Sequence, residues 1–209
     1  MGPCAACLRL AALAAALTGP ALAAETPAPA PGEPTLAEVR AATERYRDIE
    51  VALAVGYLRD PADHCETADT VGRAAAEGGM GIRYVRPDLL GVAAPPNPRV
   101  DGNGTYTDFA APAILRYAPL AHGSLTLVGV ENLVFKAAWE AAGNTAPPAF
   151  HGVAWDLMRH DPGTETVEAH GFASHDDRHV WIHRENPSGV FAPFNPNASC
   201  DHHARKGDH

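Results

Sequence analysis

Residues 175–189 read "HDDRHVWIHRENPSG", and the way this stretch is laid out decides the fold. Val, Trp and Ile in its middle favour an extended strand, and Asn-Pro-Ser-Gly at 186–189 places turn residues where a type I turn wants them. Side chains alternate along a strand, so His179, Trp181 and His183 are expected on one face, with Val180 and Ile182 on the other. A polar face opposite an apolar one predicts a sheet covered on at least one side.

The same texture extends backwards. "MGIRYV" (80–85), "AILRY" (113–117), "SLTLVGVENLVF" (124–135), "HGVAWDLM" (151–158) and "ETVEAHGF" (165–172) are short β-type runs separated by Gly, Pro, Asn and Asp. Long helices do not alternate with them, which argues against a parallel βαβ fold. Ahead of these runs, Thr35-Leu-Ala-Glu38 forms a capping-box pattern. Leu36, Val39, Tyr46, Ile49, Leu53 and Tyr57 follow at helical spacing up to Asp60-Pro61. This predicts one amphipathic helix of about six turns. A short helix is expected near 67–79, ended by Gly78-Gly79, and one or two turns at "FKAAWEAAG". The predicted class is α+β: an N-terminal amphipathic helix packed on a curved antiparallel sheet, with one disulfide.

The N-terminus has a different character. Arg9 precedes an Ala/Leu-rich run ending in Ala21-Leu22-Ala23, the pattern of a secretory signal peptide cleaved after residue 23. Residues 24–34 form a Pro/Ala-rich tether. A single domain is expected over 35–200, followed by a solvated, disordered His-rich tail at 201–209. The predicted location is secreted or periplasmic, with no membrane attachment beyond the cleaved signal. Its removal takes away Arg9 and no acid, leaving 15 basic against 25 acidic side chains. That acidity gives no electrostatic basis for nucleic-acid or anionic-membrane binding. Cys65 and Cys200 remain, and in an oxidising compartment the simplest expectation is a disulfide. Two thiolate ligands are the alternative, because each has histidine nearby, at "HC" 64–65 and "CDHH" 200–203.

Taken together, "MGIRYV", "PAILRY", "LVGVEN", "FHGVAWDL" and "HVWIHRENPSGVFAPFNPNASC" resemble a group of exported bacterial proteins described only as uncharacterised. That group's pattern has Met-Gly-x-His-Tyr, Pro-Glu before a strand, Val-Glu-Tyr, His-x-Trp-x-Trp, Asn-Pro-x-Gly-x-Phe, Asn-Pro and a final Cys. The likeness covers most of 36–200 and is most specific at its C-terminal end. Glu131, His179, Trp181 and Cys200 match. Arg83 stands where the pattern has His, His183 where it has the second Trp, and Pro112-Ala113 where it has Pro-Glu. The resemblance implies no activity, and the lost histidine counts against a metal site shared with the group.

Chemistry is weakly marked. All 11 histidines lie beyond residue 23, and six fall between His151 and His183. His179 and His183 stand four apart on a strand, about 13 Å along one face, too far to share an ion unless the strand bends. A metal site would therefore draw on His179, His183 and Glu131, with His175 or His170 arriving from a neighbouring strand or turn, and would suit zinc or copper. Beyond residue 23, HExxH, CxxC, G-x-S-x-G and a phosphate loop are all missing, and "DGNGTYTD" fails the calcium-loop register at Tyr106 and Pro112. Two function classes follow. One is a binding domain for a small apolar or amphipathic molecule, lined by Trp181, Tyr84 and Phe172 and oriented by Glu131 and His179. The other is a metal-dependent hydrolase or lyase built on His179 and Glu131.

Overall fold

The computed structural model describes residues 28–60, 63–92, 100–159 and 171–203. The segment expected to be a signal peptide, most of "ETVEAHGF" and the last six residues lie outside these. In chain order the helices are α1 (Leu36–Thr43), α2 (Ile49–Ala54), α3 (Pro87–Leu90) and α4 (Lys136–Ala141). The strands are β1 (Leu58–Arg59), β2 (Cys65–Thr67), β3 (Gly79–Val85), β4 (Ile114–Pro119), β5 (Leu125–Phe135), β6 (Ala149–Phe150), β7 (Val153–Ala154), β8 (Asp156–Met158) and β9 (His175–Val180).

Among the described residues, seven strands form one antiparallel sheet in the order β1-β3-β4-β5-β9-β8, with β2 also on β3. Strands β6 and β7 make a separate hairpin. The α+β class, the antiparallel sheet and the Cys65–Cys200 disulfide are all present.

The expected six-turn helix is broken. The capping box forms: the Glu38 amide donates to Thr35 Oγ1 at 3.2 Å, and the Thr35 amide donates to Glu38 Oε2 at 2.8 Å. After Thr43 the chain tightens into a 3₁₀ turn, Glu44–Arg47, and Asp48 is extended (φ −87°, ψ 111°). The reason is a competing hydrogen bond. In a continuous helix the Tyr46 carbonyl would accept from the Glu50 amide. Here it accepts from the buried Tyr117 hydroxyl at 2.6 Å, while the Glu50 amide turns to Asp48 Oδ1 at 3.0 Å. A buried phenol needs a partner more than an exposed helix needs one more turn. The segment expected as a second helix is likewise two 3₁₀ turns, Ala68–Val71 and Ala75–Glu77.

Cross-strand register sorts the sheet's side chains onto two faces. One carries Ile82, Tyr84, Leu115, Tyr117, Val130 and Val180, and packs with Val39, Tyr46, Ala52 and Tyr57 of the helical layer into the main core. The other carries Arg83, Arg116, Glu131, His175, Asp177 and His179. An apolar cluster containing Val85, Ile114, Leu133, Phe135 and Phe172 flanks this second face at one end, and Ala118, Val128, Trp181 and Ala198 flank it at the other.

The C-terminal segment, 186–200, covers the second face as a strap. The Asn186 side chain donates to the Phe194 carbonyl, and Asn195 and Asn197 both donate to the Glu185 carbonyl. The Gly79 amide lies 3.2 Å from the Asn195 carbonyl and 2.8 Å from that of Ala198. Gly78 (φ 86°) permits this approach, since a Cβ there would fall 2.1 Å from the Asn195 oxygen. Cys200 then ties the strap to Cys65 on β2, with Cα atoms 5.7 Å apart.

Candidate functional site

The polar face is a closed cluster of ionisable side chains. Arg83, Arg116, Glu131, His175, Asp177 and His179 are each at least 96% buried. It exists because β9 begins at His175, three residues earlier than its apolar segment suggests. That brings His175, Asp177 and His179 onto one face in alternation, opposite Phe135, Leu133 and Glu131 of β5.

Glu131 is the hub. Its Oε2 lies 2.5 Å from Arg116 Nε, and its Oε1 lies 3.4 Å from Arg83 Nε. The Arg116 contact is an ion pair in which the N–H does not aim at the oxygen, so that N–H has no hydrogen-bond acceptor. Arg83 also approaches Asp60 at 3.9 Å and Asp177 at 4.0 Å. The Phe172 ring caps its guanidinium at 5.3 Å, a cation–π contact that covers the charge from outside. Burial alone would raise the Glu131 pKa, but Arg116, Arg83 and His179 hold it well below the ordinary carboxylate range. Burial also opposes ionisation of Asp177, and His175 and His179 turn the net shift downward.

The two histidines are oriented by the backbone. His179 Nδ1 donates to the Pro193 carbonyl of the strap at 3.1 Å, and Nε2 accepts from Arg116 Nη2 at 2.5 Å. That Nε2 is also 3.2 Å from Glu131 Oε2. His175 Nδ1 donates to the Ala173 carbonyl at 2.7 Å, leaving Nε2 3.6 Å from Asp177 Oδ2 and without a hydrogen bond. Four further buried atoms of the cluster have no hydrogen-bond partner: Arg83 Nη2, Arg116 Nε, Glu131 Oε1 and Asp177 Oδ2. Unsatisfied buried polar atoms are costly and uncommon, so their concentration in one place marks this face out.

The residues singled out from the sequence separate on the structure. Glu131, His179 and Phe172 belong to the polar face. Trp181 borders it, its ring 6.4 Å from that of His179 and its indole N–H donating to the Ala192 carbonyl at 2.6 Å. Tyr84 does not join them. It lies on the opposite face, edge-on to Tyr117 at 5.2 Å, because it neighbours Arg83 on the same strand. His183 is absent from this face as well. The strand ends at Val180, the Ile182 amide bonds back to the Val180 carbonyl, and the alternation stops there. His183 reaches the helical layer, with Nε2 2.9 Å from Thr43 Oγ1 and Nδ1 3.4 Å from Arg47 Nη2. Thr43 gives its own proton to the Val39 carbonyl, so it accepts from His183.

Sequence reasoning missed Arg83, Arg116 and Asp177 as site members. The His-x-Asp-x-His alternation at 175–179 was the available signal, hidden by its loop-like polarity. His203, the third residue of the expected tail, is in place against Asp63 at 3.5 Å and Arg59 at 3.1 Å.

A second feature adjoins Trp181. A recess of about 530 Å³ opens between α1 and the chain after β9, with Leu36, Ala37 and Arg40 on one side and Trp181, Ile182 and Val190 on the other. Arg40 is exposed and has no ion-pair partner among the described residues. No protein-family model, curated protein or solved structure matches this chain.

Proposed function

We propose that this chain is an exported binding domain that holds a small amphipathic molecule, of the carboxylate class, in the recess beside Trp181. The carrying observation is the recess itself. Its volume of about 530 Å³ suits a small organic ligand. Its walls are apolar at Leu36, Ile182, Val190 and Trp181, Glu185 and Asn186 add polar groups, and Arg40 is the cation among the lining residues. An alkyl or aromatic body against the apolar wall and an anionic head on Arg40 satisfy both parts. Export is supported by the signal-like N-terminus and by the Cys65–Cys200 disulfide, which belongs to an oxidising compartment. The His179–Glu131 pair lies closed beneath the strap, which favours binding over turnover of a substrate there.

Trp181 makes the reading testable. Titration of the protein with a medium-chain fatty acid is expected to change tryptophan emission saturably. Trp181→Phe should remove that change, and Arg40→Glu should weaken binding at least tenfold. The matching primary alcohol should bind worse than the acid. A flat titration, or a signal indifferent to both substitutions, refutes the assignment.

A further inference from the structure

We infer that the polar face is a binding site for a divalent transition-metal ion, with Asp177, His179 and Glu131 as its three protein ligands. One ligand atom from each of Glu131, Asp177 and His179 already lies within 4.8 Å of the others, and all three residues are buried. Ligands about 2.1 Å from a common tetrahedral ion stand about 3.4 Å apart. The Glu131 Oε2–His179 Nε2 separation is 3.2 Å. An inward movement of about 1 Å by Asp177 completes the set on the same geometric grounds.

The orientation of the His179 imidazole points the same way. Metal-bound histidines characteristically donate the distal ring N–H to a carbonyl or carboxylate, which fixes the tautomer and aims the other nitrogen at the ion. His179 does this, donating Nδ1–H to the Pro193 carbonyl and turning Nε2 towards the cluster. Asp177 Oδ2 and Glu131 Oε1 are buried acceptors without donors. A cation supplies what those two carboxylates lack.

Two guanidiniums share the site, and the charges still favour a cation. Asp60, Glu131 and Asp177 bring three negative charges to the cluster against the two of Arg83 and Arg116. The ion competes with Arg116 for His179 Nε2 and Glu131 Oε2, and Arg116 keeps the Gly81 carbonyl, 3.4 Å from its Nη1. The ligand set differs from the expectation in one decisive way: His183 is replaced by Asp177, which stands two residues from each histidine on the same strand face. One imidazole and two carboxylates, with an open position left over, suit zinc, or copper in its divalent state.

Zinc and cobalt test this on the full chain, independently of the recess and its fatty-acid signal. After dialysis against a weak chelator, one equivalent of zinc is expected to remain bound. It should survive His202→Gln/His203→Gln/His209→Gln, and Asp177→Asn should weaken it at least about 100-fold. Should Asp177→Asn fail to fold, Co²⁺ added to the unmodified apoprotein is the deciding measurement. A tetrahedral d–d band saturating at one equivalent is expected, and zinc should shift the ¹⁵N resonances of His179 but not those of His183. No retained zinc together with no cobalt band, zinc lost with the tail histidines, or a shift at His183 alone would overturn the site.

Discussion

The two faces of the sheet use the same strands and solve opposite problems. On β5, Val130 and Glu131 are neighbours in sequence and both are essentially inaccessible. Val130 enters an apolar core shared with Tyr46, Tyr117 and Ile182. Glu131 enters a ring of charges under the strap. The apolar face is sealed by a helical layer whose phenols find carbonyls: Tyr57 to Pro112 at 2.5 Å and Tyr117 to Tyr46. The charged face is sealed by irregular chain, which offers what a helix cannot, namely the free carbonyls of Ala192 and Pro193 for Trp181 and His179. Dispersion and water exclusion hold the first face. Mutual neutralisation holds the second, and it leaves several atoms unsatisfied. A face organised purely for stability would be better served by hydrocarbon, so the charged one is where function is sought.

Substituting those two neighbours gives the sharpest contrast and the largest effect. Glu131→Gln removes the counter-charge of two buried guanidiniums and is expected to cost about 3–5 kcal/mol. Val130→Ala leaves a small cavity and should cost about 2 kcal/mol. Urea denaturation of both variants at neutral pH measures the difference. If Glu131→Gln proves the milder change, the charged face is better solvated than its burial implies.

Much of this arrangement was legible where a local pattern carries the information. The Thr35–Glu38 capping box, the β5 run and the cysteine pair are each set by residues close in sequence or by a compartment rule. The break at Asp48 was hidden because its cause, the Tyr117 hydroxyl, arrives from a strand 71 residues away. The start of β9 was hidden for a different reason. Strand patterns are recognised by apolar alternation, and "HDDRH" alternates one charged buried face with Asp176 and Arg178 on the other. Arg83 and Arg116 were invisible as partners until the β3–β4 register set them opposite each other. Their proximity to Glu131 follows from β5 pairing on the far side of β4. Trp181, just past the strand end at Val180, still has its ring beside that of His179, whereas His183 does not, since the chain turns back at Ile182.

Acid should separate the faces, with a smaller effect. Burial pushes the His183 imidazole down to about 4, with the Arg47 guanidinium adding to it. Its neutral form is held by donation to Thr43 and by the lone pair facing Arg47. The folded value lies below the ordinary 6.5, so the unfolded chain takes up the proton first. Stability from this group is complete above pH 6.5 and falls as pH drops towards 4. The loss is about 1–2 kcal/mol after allowance for partial exposure. Glu131 and Asp177 are shifted below their ordinary values, so their contribution is lost only at lower pH. Denaturation midpoints between pH 7 and 4 should therefore decline in the unmodified protein and decline less in His183→Gln. Equal slopes would show that the window belongs to other groups.

The smallest expected change tests whether the helical layer yields without the strap. Thr35 accepts from the Glu38 amide, and its own amide is held by the Glu38 carboxylate, which closes the first turn of α1. Thr35→Ala removes one cap and should cost about 1 kcal/mol. Because α1 also carries Leu36, Ala37 and Arg40 of the recess, fraying there should raise amide exchange along 36–40 and weaken fatty-acid binding modestly. Exchange at His179 and Trp181, whose amides sit in β9 pairing and on the Val190 carbonyl, should not follow. Their protection depends on the sheet and the strap, so coupled exchange at both places would mean that the two covers open as one unit.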